Sequence, residues 1–404
     1  MDEKKLGLGN VVSISVGLVV ATSCLVSLGN GAGTLGSTFI FAMFIAMLLN
    51  MTTVASLSEL NALMPNTTGG LAQYTLAALG PFPTLISMVG GYLICNTMSC
   101  GVEASIFSFS LADVIGPGIP SFAYTVIMTV IILLANLRGV DMFAKIQDIV
   151  AFLLVGSLVA MGFIGMIGIG TGVKIQQPYV LNADFKDVAA MTAVAFWLFI
   201  GAEYAIPVSK QVKNAKRNVP LGMMIGLFLI FIMQSVMIFG FHNYVEWGAL
   251  ADSAAPHLVY GYAVLGKAGK IWMMLVGALA VISTQNSTVN SLAVICQGMA
   301  KMNMLPKIFA KTNRHNVPWF GQVFVSALIL IFGYFSDSSA DMISFLILVG
   351  SVFWMISYIL AHIDLLIFRK RLSKAPRNFK SAVRPTISNN RNCRYSVYDF
   401  KYFK

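Results

Sequence analysis

Hydrophobic and polar positions are sharply segregated along the chain. No Asp, Glu, Lys or Arg occurs between Leu6 and Ser58, and further charge-free runs cover Leu60–Val102, Val114–Leu137, Ile149–Val173, Val188–Ala202, Asn218–Val245, Ile271–Ala300, His315–Ser336 and Met342–Ile363. A helix needs roughly 20 mostly apolar residues to cross a bilayer. The first run is long enough for two such helices, with Gly29–Gly36 as the turn, and each of the others holds one. Helices are therefore predicted over 11–31, 36–58, 84–112, 121–137, 144–170, 188–209, 221–243, 271–298, 319–336 and 342–368, ten in all. The runs are continuous rather than alternating, which excludes a spanning β-barrel. The first run continues straight into a second span, unlike a cleaved signal peptide.

Composition agrees with the pattern. The 404 residues are 57% hydrophobic and 11% charged, against about 25% charged in soluble domains. Lipid is the expected solvent for most of the surface. Lys and Arg set the orientation. With ten spans both termini share a side, whose loops carry twelve Lys or Arg before the tail is counted, among them Arg138, Lys210, Arg217 and Arg314. The opposite loops, about 171–187 and 244–270, carry Lys174, Lys186, Lys267 and Lys270. Cytoplasmic termini and a cell-membrane location follow. The net charge of +11 does not point to nucleic acid, because Arg371–Lys404 alone contributes +8. A basic juxtamembrane tail suits anionic lipid. Cys24, Cys95, Cys100, Cys296 and Cys393 lack zinc spacing and read as small packing residues. No P-loop, metalloprotease helix or nucleophile elbow is found in the spans, so an enzyme or ATP-driven pump is not expected.

Transporters bind their cargo near the midplane, where helices are interrupted. Two spans carry candidate breaks. In the first, Ala21-Thr22-Ser23-Cys24-Leu25 places small, mildly polar residues at mid-span; such residues also serve close helix packing. In the sixth, Gly201, Ala202, Glu203 and Pro207 fall within seven residues. An intramembrane carboxylate is costly and needs a partner, a proton or a wet cavity. Glu203 is thus either hydrogen-bonded to broken backbone or linked to substrate or proton. Ten helices divide into five and five, and an odd number per repeat turns the halves upside down relative to each other. Residues 1–170 and 171–370 are the expected repeats, with 371–404 as a basic tail.

Glu203–Pro220, EYAIPVSKQVKNAKRNVP, resembles the sixth-helix and following-loop signature of the amino acid–polyamine–organocation permeases. Ala135-Asn-Leu-Arg-Gly139 with Lys145-Ile-Gln147, the stretch Met299–Pro306 with Val317-Pro318, and Ser58-Glu-Leu with Pro65, Gly69-Gly70 and Tyr74 resemble further family segments in order. The resemblance covers about residues 5 to 375. It implies an all-α integral membrane protein with the leucine-transporter fold, two inverted five-helix repeats, and a secondary transporter of amino acids or related amines working by symport or exchange. Carried over by position, Ala21, Thr22, Ser23, Cys24 and Leu25 match the unwound first helix, whose N–H groups hold a substrate carboxylate. Phe199, Ile200, Gly201 and Ala202 match the unwound sixth helix, whose carbonyls receive the amine. Phe196 and Trp197 lie near the aromatic gate, where the rings equally serve packing. Asn96 lines the expected path with Ser99, and Glu103 faces an outward vestibule or is a satisfied structural acid.

Two departures stand out. The first-helix motif lacks the family's usual glycines, so close backbone approach to a carboxylate is harder, and the substrate is open between a standard α-amino acid and a different molecule. Most members continue to twelve helices, whereas here Arg369-Lys-Arg and the polar stretch Ser373–Lys404 follow the tenth. A ten-helix transporter and a truncated, non-transporting product are both consistent with that ending. No cofactor is expected. The coupling ion is H+ or Na+, with Ser283 and Thr284 as candidate oxygen ligands and interhelical hydrogen bonding as their commoner use. The expected partners are the substrate and the bilayer. A channel is the remaining rival, although no charged pore series is present.

Overall fold

The structure is a computed structural model that describes residues 6–64, 71–115, 120–175, 177, 184–251, 253, 255–336 and 340–373. The basic stretch 374–404, Cys393, Lys4 and Lys5, and the Pro65 and Gly69-Gly70 positions lie outside the described residues.

The chain is nearly all helical. In order run α1 (Leu8–Val19), α2 (Thr22–Leu35), α3 (Phe39–Leu63), α4 (Leu71–Leu79), α5 (Pro81–Leu85), a π-helical turn (Ile86–Ile94), α6 (Cys95–Ile115), α7 (Ser121–Asn136), α8 (Val140–Ile167), α9 (Phe185–Trp197), α10 (Ala215–Tyr244), α11 (Trp247–Ala251), α12 (Pro256–Lys301), α13 (Trp319–Ser336) and α14 (Ala340–Arg371). Among the described residues eight stretches are long and apolar enough to cross a membrane, and Leu8–Val19 and Phe122–Asn136 are shorter apolar helices. The stretch Thr22–Leu63 bends at Gly36–Thr38. Its first part, α2, therefore pairs with α1 as one interrupted crossing and α3 makes the next, which yields the ten segments expected.

Two boundaries differ from expectation. Gly29–Gly36 is not a turn: α2 runs on to Leu35, and only Gly36–Thr38 turns. The glycines serve close approach instead, since a Cβ on Gly29 would sit 2.3 Å from Pro256 Cβ and one on Gly33 2.3 Å from the Ala251 nitrogen. The 244–270 segment is not an open loop either. It folds into α11 and the leading part of α12, which kinks at Leu265 and Gly266 before the span itself. The apolar residues between Pro256 and Val264 bury their faces against the bundle: Leu258, Tyr260 and Val264 are all buried.

The outer surface is apolar, as lipid requires. Phe41, Phe44, Ile45, Leu48 and Leu49 form an exposed stripe on α3 at helical spacing, and Phe152 on α8 is 78% exposed. Polar side chains point inward instead, the reverse of a soluble bundle. The buried run Ser283–Ser291 of α12 stitches helices together. Asn136 Nδ2 donates to Asn286 Oδ1 at 2.8 Å, Asn286 Nδ2 to Gln147 Oε1 at 3.0 Å, and Thr129 Oγ1 to Gln285 Oε1 at 3.3 Å. Near the end of α14, Arg369 makes a two-pronged ion pair with the buried Glu59 of α3, at 3.1 and 2.6 Å. His362 meets Thr53 and Ser56 of α3, and Asp364 receives Thr75 Oγ1 at 2.6 Å.

The family-signature segment after α9 has a mechanical role. It forms 3-10 turns at Ala202–Ala205 and Ser209–Gln211, then starts α10 from Asn214 in the left-handed region. Leu6, two residues ahead of α1, pairs with it: Leu6 N–H donates to Gln211 O at 2.7 Å, and Lys213 N–H to Leu6 O at 2.8 Å. The start of the first crossing is thereby tied to the sixth.

Candidate functional site at the two helix breaks

Two breaks are present and face each other, each narrower than expected: Thr22, Ser23, Cys24 and Leu25 already form the first turn of α2, and Ala202 begins a 3-10 turn. The first lies between α1 and α2, where Val20 and Ala21 leave helical geometry at ψ 76° and 166°. The second follows Trp197: the chain unwinds through Leu198–Gly201, and Gly201 sits at φ +117°. That φ favours glycine, and a Cβ there would lie 2.6 Å from Leu18 Cδ2 of α1. Trp197 Nε1 donates to Ser23 Oγ at 2.9 Å, and the Cys24 thiol approaches Val19 O at 2.9 Å and Trp197 O at 3.8 Å. The positive end of α2 and the negative ends of α1 and α9 thus converge.

A cavity of about 20 Å³ lies at this junction, room for roughly one water. Its walls come from five places: the two breaks, α6, α12 and α14. The first break supplies Leu18, Val19, Ala21 and Cys24, and the second supplies Trp197 and Ile200. The face of α6 supplies Asn96, Ser99, Cys100 and Glu103, and the remainder is Thr284 and Trp354. The four α6 residues are spaced i, i+3, i+4, i+7, one stripe of a helix. The Trp197 and Trp354 rings meet edge to face with centroids 6.0 Å apart. Glu103 is 1% exposed, and its Oε2 accepts the Ser23 backbone N–H at 2.8 Å.

The other expected site residues are buried or half-buried around this wall. Thr22, Ser23, Leu25, Phe199 and Ala202 lie behind it, and Phe196 packs on Tyr358 with centroids 6.1 Å apart. Glu203 faces α14 rather than the cavity. Trp354 Nε1 donates to its Oε1 at 3.2 Å and Tyr358 OH to its Oε2 at 2.8 Å. Ser283 is likewise apart from the cavity: Gln147 Nε2 donates to its Oγ at 2.6 Å and to Ser13 O of α1 at 3.4 Å. Leu18, Val19 and Cys100 were not anticipated. The first two carry no signal beyond apolarity, whereas Cys100 completes the Asn96, Ser99, Glu103 stripe.

Comparison with known proteins decides the family. Residues 6–388 match the family described as amino acid permease. The chain belongs to the amino acid permease family. Among curated relatives, the branched-chain amino acid permease BcaP of Bacillus subtilis is 21% identical over 95% of this permease and 85% of its own length. The putrescine transporter PotE of Escherichia coli is 26% identical over 78% of this chain and 72% of its own. The L-methionine/branched-chain amino acid exporter YjeH of the same organism is 26% identical over 61% of this chain and 58% of its own. Solved structures give the fold. A Na+-coupled sialic acid symporter superposes with TM-score 0.58 over 93% of this chain and 92% of its own, at 11% identity. A nucleobase–cation symporter in a closed conformation gives 0.58 over 91% and 80%, at 13% identity. The architecture is that of the leucine-transporter-like secondary transporters, and this permease is a multi-pass membrane protein.

Proposed function

We propose that this family member is a secondary transporter that moves a small amine or amino acid by alternating access across the cell membrane. The observation that carries this reading is the cavity between the α1–α2 and α9 breaks, lined by two indoles. Interrupted helices put dipole ends and backbone groups beside a cavity, the arrangement by which transporters hold cargo at mid-membrane. The relatives named for amino acids and for putrescine support a cargo of the same chemical kind. The proposed repeats are 1–170 and 171–370, each opening on a broken helix, with 371–404 as a basic tail. The Lys and Arg distribution supports cytoplasmic termini.

Coupling by a proton or by exchange fits the polar groups better than sodium coupling. A sodium ion between α1 and α12 needs their oxygens. The Gln147 amide donates to Ser13 O and Ser283 Oγ there, so its N–H groups stand where a cation would have to sit. Glu203 holds two donors of α14, which supports a role in fixing that helix against the second break.

Thermal unfolding of the purified protein against a panel of amino acids and amines tests the reading. A ligand bound by the folded state alone stabilises it by about 2.7 kcal/mol at a hundredfold excess over Kd. A concentration-dependent rise with one chemical class is expected. A cooperatively unfolding protein that no member of the panel stabilises contradicts it.

A further inference from the structure

The place where a substrate carboxylate would bind is already filled by the chain itself. The N-terminus of α2 is the positive helix end at the cavity, and a free N–H there is a natural anion site. Its Ser23 N–H donates instead to Glu103 Oε2, at 2.8 Å, from a helix 80 residues away in sequence. Glu103 is 1% exposed and lines the cavity. Among the described residues no Lys, Arg or His joins it there, and the other polar groups are the neutral Asn96, Ser99 and Thr284 with two thiols.

The charge balance follows. Each helix end carries about half a unit charge. One positive end faces Glu103, while the ends of α1 and α9 present carbonyls, with Trp197 O met only weakly by Ile200 N at 3.4 Å and the Cys24 thiol at 3.8 Å. With Glu103 ionised, the cavity attracts a cation. The indoles of Trp197 and Trp354 line the cavity, and an exposed indole face is a favourable surface for an ammonium group. An α-amino acid also brings a carboxylate, which would meet Glu103 with no cation to pair it. Like charges at such range in a low dielectric repel strongly.

We propose that this site takes an amine without an α-carboxylate, and that Glu103 is the built-in substitute for that group. The proposal rests on the transporter reading and narrows it: Glu103 decides between an amine and its parent amino acid.

The test uses matched pairs that differ in the carboxylate alone: cadaverine and lysine, putrescine and ornithine, isoamylamine and leucine. Thermal shift of the full-length protein in detergent gives a Kd for each. The amine of at least one pair is expected to bind on the order of a hundredfold more tightly than its amino acid, the scale of an unpaired buried charge. In Glu103→Ala the amine should lose a similar factor, while the amino acid gains affinity because the Ser23 N–H is vacated. A wild-type protein that binds the amino acid of a pair as well as or better than the amine overturns the proposal and leaves the transporter reading standing. Failure of both members of every pair to stabilise a cooperatively unfolding protein removes the transporter reading, and this proposal with it. The wild-type comparison decides the matter even if the variant does not fold.

Discussion

Substituting Glu203 tests how the second break is held. Its carboxylate accepts Trp354 Nε1 at 3.2 Å and Tyr358 OH at 2.8 Å. Trp354 and Tyr358 are buried at 3% and 4% exposure, so bulk water does not reach the donors that lose their acceptor. Leaving a buried donor unsatisfied costs about 1–3 kcal/mol. Glu203→Ala orphans two, so it should destabilise the protein by roughly 2–6 kcal/mol. Interhelical hydrogen bonds in bilayers are weaker on average, up to about 1.7 kcal/mol, which favours the lower half of that range. A double-mutant cycle with Tyr358→Phe isolates one bond. The two substitutions should couple by about 1 kcal/mol or more, because each removes the same interaction. The assay is reversible unfolding of the detergent-solubilised protein by a denaturant titration. Additivity within about 0.5 kcal/mol, the scatter of independent sites, would refute the claim that Glu203 anchors α14.

Three further outcomes are expected. Gly101→Ala should destabilise by about 1–3 kcal/mol. The added Cβ would lie 2.6 Å from the Gly333 nitrogen and 2.8 Å from the Phe332 carbonyl carbon, backbone that cannot yield unless α13 moves; unchanged unfolding would contradict this packing. Arg369→Met leaves the fully buried Glu59 carboxylate without its two-pronged partner. It should cost on the order of 3 kcal/mol, whereas Glu59→Gln with Arg369→Met should recover much of the loss in the same titration. Wild-type uptake should be equal in sodium and in choline buffer, because Gln147 holds the Ser13 and Ser283 oxygens; a strict sodium requirement in proteoliposomes would show that reading of Gln147 to be wrong.

The membrane architecture was legible because charge is excluded from lipid wherever it is unpaired. Nine charge-free runs gave ten segments, and the breaks were marked by Ala21–Cys24 and by Gly201 with Glu203 and Pro207. What the pattern missed has physical causes. Charge-free runs locate apolar stretches but not their bends, so α2 was stopped too early at its glycines and the α11 and early α12 helices were read as loop. The wall of the cavity was legible where a polar stripe repeats at helical spacing, as on α6. Leu18 and Val19 reach the cavity because α1 stops beside it, and nothing in an apolar side chain announces that. The destination of Glu103 was beyond sequence reading, since it depends on α6 packing against a helix end 80 residues earlier. Gln147 belongs to a segment that resembles the family, yet its contact with Ser283 across 136 residues is likewise a tertiary fact.

Counterflow in proteoliposomes is the most direct test of a transporter whose site opens to one side at a time. Vesicles loaded with an unlabelled amine that stabilises the protein are diluted into a trace of the same amine carrying a label. Alternating access predicts transient accumulation of label above its external concentration, saturating with internal amine. A flux that never exceeds equilibration, rises linearly with concentration and carries a steady current would contradict the account and indicate an open pore.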